Sequence, residues 1–180
     1  IDIKLKVPFV IKPRGEGSSI GLTIVKNKKE IKSAIENAFK YGNEILVEKY
    51  IKGREVTVSI LDNKVLPIIE IVPANDYFDF DSKYSNKETQ YLLPVEIEKD
   101  VKENIERIAL DVFNVVNCND YARIDMIIDE LNNPYVLEIN TIPGFTETSL
   151  VPKAAKAIGL EFEDLCERIA ELALLRKKLK

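Results

Sequence analysis

Two carboxylates, an arginine and an amide are spaced in pairs along "ARIDMIIDELNNPYVLEIN", residues 122–140. Two apolar-rich runs flank the turn-forming cluster Asp129-Glu130-Leu131-Asn132-Asn133-Pro134, the pattern of a β-hairpin. Folded near Leu131 and Asn132, this hairpin sets Asp125 opposite Glu138 and Arg123 opposite Asn140. Side chains two apart on a strand share a face, so all four occupy one patch. Like charges directly opposite on a sheet destabilise it, so the pairing calls for a cation. Two arrangements supply one. Arg123 neutralises Asp125 in a salt-bridged solvent face, or a divalent ion lies between the carboxylates. For the second, oxygen-only ligands favour Mg²⁺ or Mn²⁺ over zinc, and Mg²⁺ leaves much of its shell to water and substrate phosphates.

A second chemical feature is the glycine-rich "KPRGEGSSIG", residues 12–21. It lacks the Gly-Lys-Ser/Thr of a P-loop and does not lead into a helix as a dinucleotide fingerprint does. It links two strand-like runs, Val7–Lys12 and Ile20–Val25, as a flap would. Glycines and serines let backbone N–H groups approach phosphate oxygens, and Lys12 supplies a point charge beside them. The chain contains no histidine. That removes the commonest general base and the Ser-His and Cys-His nucleophile systems, leaving carboxylates, lysines, arginine, hydroxyls, backbone amides or a metal.

The elements that must carry these groups read as α+β. Asn27 with Glu30 makes a capping box, Ile31, Ile35 and Ala38 form a helical stripe, and Gly42 supplies a stop. "EILVEKY" (44–50) and "EVTVSIL" (55–61) read as strands, the second turning at Asp62-Asn63 into "VLPIIEIV". Residues 74–93 lack any sustained period and read as a long loop, with Tyr77, Phe78, Phe80 and Tyr84 as candidates to pin it. Val101, Ile105, Ile108 and Val112 mark a second helix, and Leu165, Ile169, Leu172 and Leu175 a terminal one. Antiparallel sheet with three or more helices follows, with a division into two lobes near Gly53.

The 180 residues are 46% hydrophobic with a net charge of −4, which suits one sizeable core or two small ones and argues against binding nucleic acid or anionic membrane by bulk charge. No apolar run approaches the ~20 residues of a membrane span. Cys118 and Cys166 are far apart, suggest neither disulfide nor zinc site, and read as packing residues in an intracellular, reducing compartment. The chain opens at Ile1 in "IDIKLK", and the expectation is a piece of something longer.

Five motifs in order, "VIKPRGEGSSIG", "LVEKYIKGREVTV", "DFDSKYSNKETQY", "YARIDM" and "LEINTIPGFTETSLVPKAAKAIG", resemble the C-terminal two-thirds of D-alanine–D-alanine ligases of the ATP-grasp superfamily. The resemblance covers nearly the whole chain. It implies two α+β lobes: residues 1–52 as an incomplete central ATP-binding lobe with the flap, and 53–180 as the complete C-terminal lobe. It implies ATP with two Mg²⁺ or Mn²⁺ ions as cofactors. Asp125, Glu138 and Asn140 match the metal ligands. Lys12, Lys49, Glu55, Tyr77, Lys83 and Leu137 match nucleotide-binding positions, with Glu48, Lys49, Tyr50 and Ile51 as the adenine hinge and Glu55 on the ribose. Arg123 and the Gly144 amide match the oxyanion holders. Ser149 and Leu150 match the clamp on the second D-alanine, and Ser18 with Tyr84 a network joining flap to loop.

The resemblance further implies a cytoplasmic enzyme of peptidoglycan precursor synthesis, a homodimer at full length, acting on D-alanine and ATP. Neither nucleic acid nor membrane is among its partners. The family's N-terminal domain has no counterpart in these residues, so the chain is expected to be inactive alone. Gly15 stands where relatives more often carry arginine, a difference expected to alter flap stiffness rather than chemistry. The alternatives are a D-alanine–D-lactate ligase, which Tyr84 disfavours, another ATP-grasp carboxylate–amine ligase, and a non-catalytic nucleotide-binding domain.

Overall fold

The computed structural model describes residues 4–73 and 89–178. Two compact units emerge: Ile1–Ile51 with Pro73–Gln90, and Lys52–Val72 with Tyr91–Lys180.

In the first unit, β1 (Phe9–Pro13) lies between β2 (Thr23–Val25) and β3 (Ile45–Lys49) in an antiparallel sheet. Phe9 and Ile11 alternate inward and bury against α1 (Ile31–Ala38) through Ala34 and Ala38, while Val10 and Lys12 face the other way. The helix is entered through the expected capping box. Asn27 accepts from the Lys29 amide at 3.0 Å, and Glu30 accepts from the Asn27 amide at 3.3 Å. It stops at Ala38, ahead of Gly42, through turns in which the Lys40 and Tyr41 amides bond back to Asn37 and Ala38. The strand expected from Ile20 is also shorter. Ser18 and Ser19 adopt left-handed φ of 56° and 59°, and two consecutive turns carry the chain to Leu22. At Gly21 (φ 71°) a Cβ would sit 2.6 Å from Tyr41, so only glycine fits there.

The second unit is built on a sheet of order β7-β6-β4-β8-β9, formed by β4 (Gly53–Leu61), β6 (Ile69–Val72), β7 (Gln90–Leu92), β8 (Tyr121–Asp129) and β9 (Pro134–Asn140). The short β5 (Lys64–Val65) also pairs with β4. "VLPIIEIV" is thus broken. Three steps along β4, from Ile60↔Val65 to Thr57↔Ile69, take four on the partner, because Pro67 has no N–H to give a ladder. The β7 strand occupies the end of the stretch read as loop.

One face of this sheet is apolar over its centre, with the Arg54–Glu70 ion pair toward one end of it. Val56, Val58 and Ile60 with Ala122, Ile124, Met126 and Ile128 pack on α2 (Lys99–Val115) through Ile105, Ala109 and Phe113. Each valine, isoleucine, methionine or phenylalanine among them stabilises the unit by about 1.5–3 kcal/mol. The opposite face is divided. Leu61 and Ile69 pack on Val151, Ala154, Ala155 and Leu165 of α3 (Leu150–Lys156) and α4 (Phe162–Lys178). Beside them, Thr57, Ser59, Arg123 and Asp125 form a polar strip. Cys118 packs against the α2 core and burial pushes its thiol pKa up, whereas Cys166 is exposed on α4 and does not serve as packing. Among the described residues no helix is long and apolar enough to cross a membrane.

Candidate active site

The β8–β9 hairpin brings the four chemical residues together in the register expected: Asp125 pairs with Glu138, and Arg123 with Asn140. The route to that register is different. From the turn outward the pairs are Ile128↔Pro134, Ile127↔Tyr135 and Met126↔Val136, and the next is Asp125↔Glu138. Leu137 is the extra residue of a β-bulge. Without it, continuation of the inner register would set Asp125 against Leu137 and break up the patch. The turn itself is held by Asp129, whose carboxylate accepts from the Asn133 amide at 2.8 Å and the Leu131 amide at 2.9 Å. The Asn133 backbone donor, with lesser help from its side chain and Leu131, lowers the Asp129 pKa below its ordinary 3.8.

Asp125 is 8% exposed and accepts four hydrogen bonds. Arg123 forks onto it, Nε to Oδ1 at 2.9 Å and Nη2 to Oδ2 at 2.7 Å. Thr57, directly across on β4, donates Oγ1 to Oδ1 at 2.6 Å. Asn140 Nδ2 bridges the carboxylates, donating to Asp125 Oδ2 at 3.1 Å and Glu138 Oε1 at 3.0 Å. Burial works against the charge on Arg123. The hydrogen bonds and charge of Asp125, with Glu138 and Glu55 behind it, outweigh that and raise its pKa.

Thr57 and Ser59 were not singled out by sequence reasoning. The signal was present, because in "EVTVSIL" both hydroxyls alternate onto the side of Glu55. Ser59 is paired with Arg123 across the strands, and its buried Oγ makes no hydrogen bond.

Beyond the hairpin, Gly144 lies beside Ser149: a Cβ on the glycine would stand 3.6 Å from the serine Oγ. Ser149 Oγ accepts from the Thr146 amide at 3.0 Å and lies 2.9 Å from Thr146 Oγ1, at the position preceding α3. Leu150 opens that helix and leans on the apolar core. Leu137 is exposed at the bulge, and Glu55 sits on β4 one alternation from Thr57.

In the first unit, Lys12 Nζ meets Glu48 Oε2 at 2.7 Å on the sheet face turned away from α1. Lys49 ends β3 opposite Phe9, and Tyr50 and Ile51 follow it. Ser18 occupies the first left-handed position of the flap. Tyr77, Lys83 and Tyr84, together with Phe78 and Phe80, lie outside the described residues.

The donor set on the hairpin fits a hard divalent cation. It consists of two carboxylates and one amide whose oxygen becomes available when the side chain turns over, with no nitrogen or sulfur ligand among them. Among the described residues no group of three or more His, Cys, Asp or Glu could hold a metal, so a cation here must complete its shell from water or substrate.

Mixed α/β units with antiparallel sheets and this paired carboxylate hairpin define an ATP-grasp fold. The chain belongs to the family described as D-ala D-ala ligase C-terminus, which it matches over residues 1–171. It is 46% identical over 171 residues to a D-alanine–D-alanine ligase of Methylacidiphilum infernorum, a match covering 95% of this chain and 56% of that protein. The D-alanine–D-alanine ligase of Bacillus anthracis superposes with a TM-score of 0.84 at 41% identity, over 96% of this chain and 57% of that one. A D-alanine–D-alanine ligase of Bacillus anthracis complexed with ATP gives 0.80 at 37%, over 96% and 55%. The VanG D-Ala:D-Ser ligase of Enterococcus faecalis gives 0.84 at 34%, over 94% and 50%. The chain therefore spans about half the length of the relatives it matches.

Proposed function

We propose that this chain supplies the nucleotide-binding and acyl-transfer groups of an ATP-dependent D-alanine–D-alanine ligase. The observation that carries the reading is the bulged register that sets Asp125 against Glu138 beside Arg123 and Asn140. The names of the relatives agree with it, and one of them has been solved with ATP.

In the proposed reaction, a carboxylate oxygen of one D-alanine attacks the γ-phosphorus of ATP, giving an acyl phosphate and ADP. The amine of a second D-alanine then attacks the acyl carbon, loses a proton, and expels phosphate as the peptide bond forms. In the second unit, Asp125, Glu138 and Asn140 are the metal ligands we assign. A bound Mg²⁺ or Mn²⁺ there neutralises phosphate charge. With only these three side chains to hold it, any such ion would draw the rest of its shell from water and phosphate.

Arg123 and the Gly144 amide are assigned to the oxyanion formed at the acyl carbon, and Ser149 with the Leu150 amide to the acceptor's carboxylate. Glu55 and Leu137 are assigned to the nucleoside. In the first unit, Lys12 and the flap amides are assigned to phosphate oxygens, and Glu48, Lys49, Tyr50 and Ile51 to the adenine. Ser18 with Tyr84, and Tyr77 and Lys83, are assigned to loop closure and nucleotide contact.

The relatives carry further length outside the shared region, and we place binding of the first D-alanine there. A cytoplasmic, homodimeric enzyme of cell-wall precursor synthesis completes the proposal. The acceptor is the least constrained part, since one similar ligase is named for D-serine. Product analysis with D-alanine, D-serine and D-lactate offered together decides it.

Calorimetric titration of the chain with ADP and Mg²⁺, beside an Asp125→Ala/Glu138→Ala variant, tests the core of this reading. Metal-dependent binding in the first and none in the second is expected. Equal binding in both overturns the assignment of the hairpin, and binding in neither removes a self-sufficient nucleotide site from this chain.

A further inference from the structure

The four hydrogen bonds to Asp125 are not equivalent. Oδ1 receives Thr57 Oγ1 at 2.6 Å and Arg123 Nε at 2.9 Å, which together occupy both its lone pairs. Oδ2 receives Arg123 Nη2 at 2.7 Å and Asn140 Nδ2 at 3.1 Å. Arg123 can only donate, and the Thr57 hydroxyl, whose other acceptor in reach is the Ile124 carbonyl at 3.4 Å, makes its short bond to Oδ1; Asn140 becomes an acceptor toward a cation by turning its amide over. Doing so frees one lone pair on Oδ2, on the side where Asn140 also meets Glu138 Oε1.

Oδ1 therefore stays closed to a cation while Oδ2 opens to one. The group that closes it most firmly is Thr57, 1% exposed, in the middle of nine-residue β4 and directly opposite Asp125. A β-branched side chain is restricted at χ1, and this one is buried in a central strand, so its hydroxyl fixes the carboxylate plane rather than following it.

We propose that Thr57 is a positioning residue that holds Asp125 as a one-oxygen ligand, presenting Oδ2 to a divalent cation beside Glu138 and Asn140. The inference rests on the hairpin being the metal site. Without the Thr57 hydroxyl, Asp125 rotates about its terminal torsion. The preset geometry that a small octahedral ion demands is then lost, although both first ligands remain.

Titration of the chain with Mn²⁺ alone, followed by the paramagnetic resonance of the free ion, reads this without any turnover. Thr57→Val keeps the volume and branching and is expected to weaken Mn²⁺ affinity about tenfold, the low end for the loss of an outer-shell partner. Thr57→Ser keeps the donor and should restore affinity close to the starting value. Ser59→Ala removes a hydroxyl that bonds to nothing on the same face and should leave affinity unchanged. Melting temperatures of the same variants separate lost affinity from lost fold.

Undiminished affinity in Thr57→Val, or equal loss in Thr57→Ser, overturns the role of Thr57 while leaving the site intact. If Asp125→Ala binds Mn²⁺ as tightly as the unmodified chain, or the unmodified chain binds none, the metal-site reading falls and this inference with it.

Discussion

Arg123→Met isolates the energetics of the hairpin patch. The guanidinium makes two charge-assisted bonds to Asp125 at 2.9 and 2.7 Å, and the two side chains are 20% and 11% exposed. Removing one partner of a buried pair costs about 3–5 kcal/mol, mostly because the other charge is left uncompensated. Residual exposure and the surviving donors Thr57 and Asn140 put this case at the low end, about 3 kcal/mol. With a denaturant slope of about 2 kcal/mol/M, the urea midpoint falls by about 1.5 M, measured by circular dichroism in EDTA.

Asp125→Leu alone carries a similar penalty, since Arg123 is then buried without its main partner. The double variant Arg123→Met/Asp125→Leu leaves neither charge, so its total cost stays near about 3 kcal/mol rather than the sum of about 6 kcal/mol. Cation linkage adds a second readout. In Arg123→Met the facing carboxylates Asp125 and Glu138 lose their counter-ion, so 10 mM Mg²⁺, at a dissociation constant of about 1 mM, restores about 1.4 kcal/mol. The intact protein gains less, because Arg123 already neutralises part of the charge that the cation would meet. Additive single costs, or a Mg²⁺ gain no larger in Arg123→Met than in the intact protein, would refute this account.

Two further outcomes follow from backbone and turn geometry. Gly53→Ala drives a Cβ into the Ile128 carbonyl oxygen, where β4 meets β8, so the pairing must open. A loss of about 2 kcal/mol is expected, with faster amide exchange at the start of β4, and unchanged stability and exchange would contradict the packing described. Asp129 has a folded-state pKa below its ordinary 3.8, so its contribution is present above that value and lost as pH falls through the folded one. Asp129→Ala should therefore be less stable than the parent at pH 6, with the gap in urea midpoint closing as pH falls below 3.8 and through the lowered folded-state pKa. A gap that does not change with pH would show that the carboxylate's charge is not what holds the turn.

Much of the second unit's sheet was legible because its strands alternate or are apolar on one face, which leaves few registers. The pairing of Asp125 with Glu138 was reached from a fold point half a residue away from the real one, and the bulge at Leu137 made up the difference. Leu137 is an ordinary strand residue, so nothing in its type announces a bulge. What demands one is the need to bring two carboxylates to one position while keeping the inner pairs Met126↔Val136 and Ile127↔Tyr135 in step. The seven-residue α3 escaped for a different reason. Val151, Pro152, Ala154 and Ala155 are all buried, so no polar face marks a helical period, and Pro152 in the first turn disguises it further. Thr57 escaped because a threonine in an alternating strand is unremarked until its cross-strand partner is known to be a buried acid.

The two arrangements that the sequence allowed for the patch, an arginine counter-ion or a divalent cation, turn out not to exclude each other. Arg123 neutralises Asp125 through both carboxylate oxygens, sharing Oδ1 with Thr57. Only the Asn140 amide stands between the two carboxylates. An arginine held this way keeps the facing acids compatible with a stable sheet, and an amide that turns over is the smallest movement that converts the pair into cation ligands. The same bulge therefore serves both. It places the acids near enough to need a counter-charge, which Arg123 supplies at Asp125, and it leaves the Asn140 amide where turning over exposes both acids to a cation.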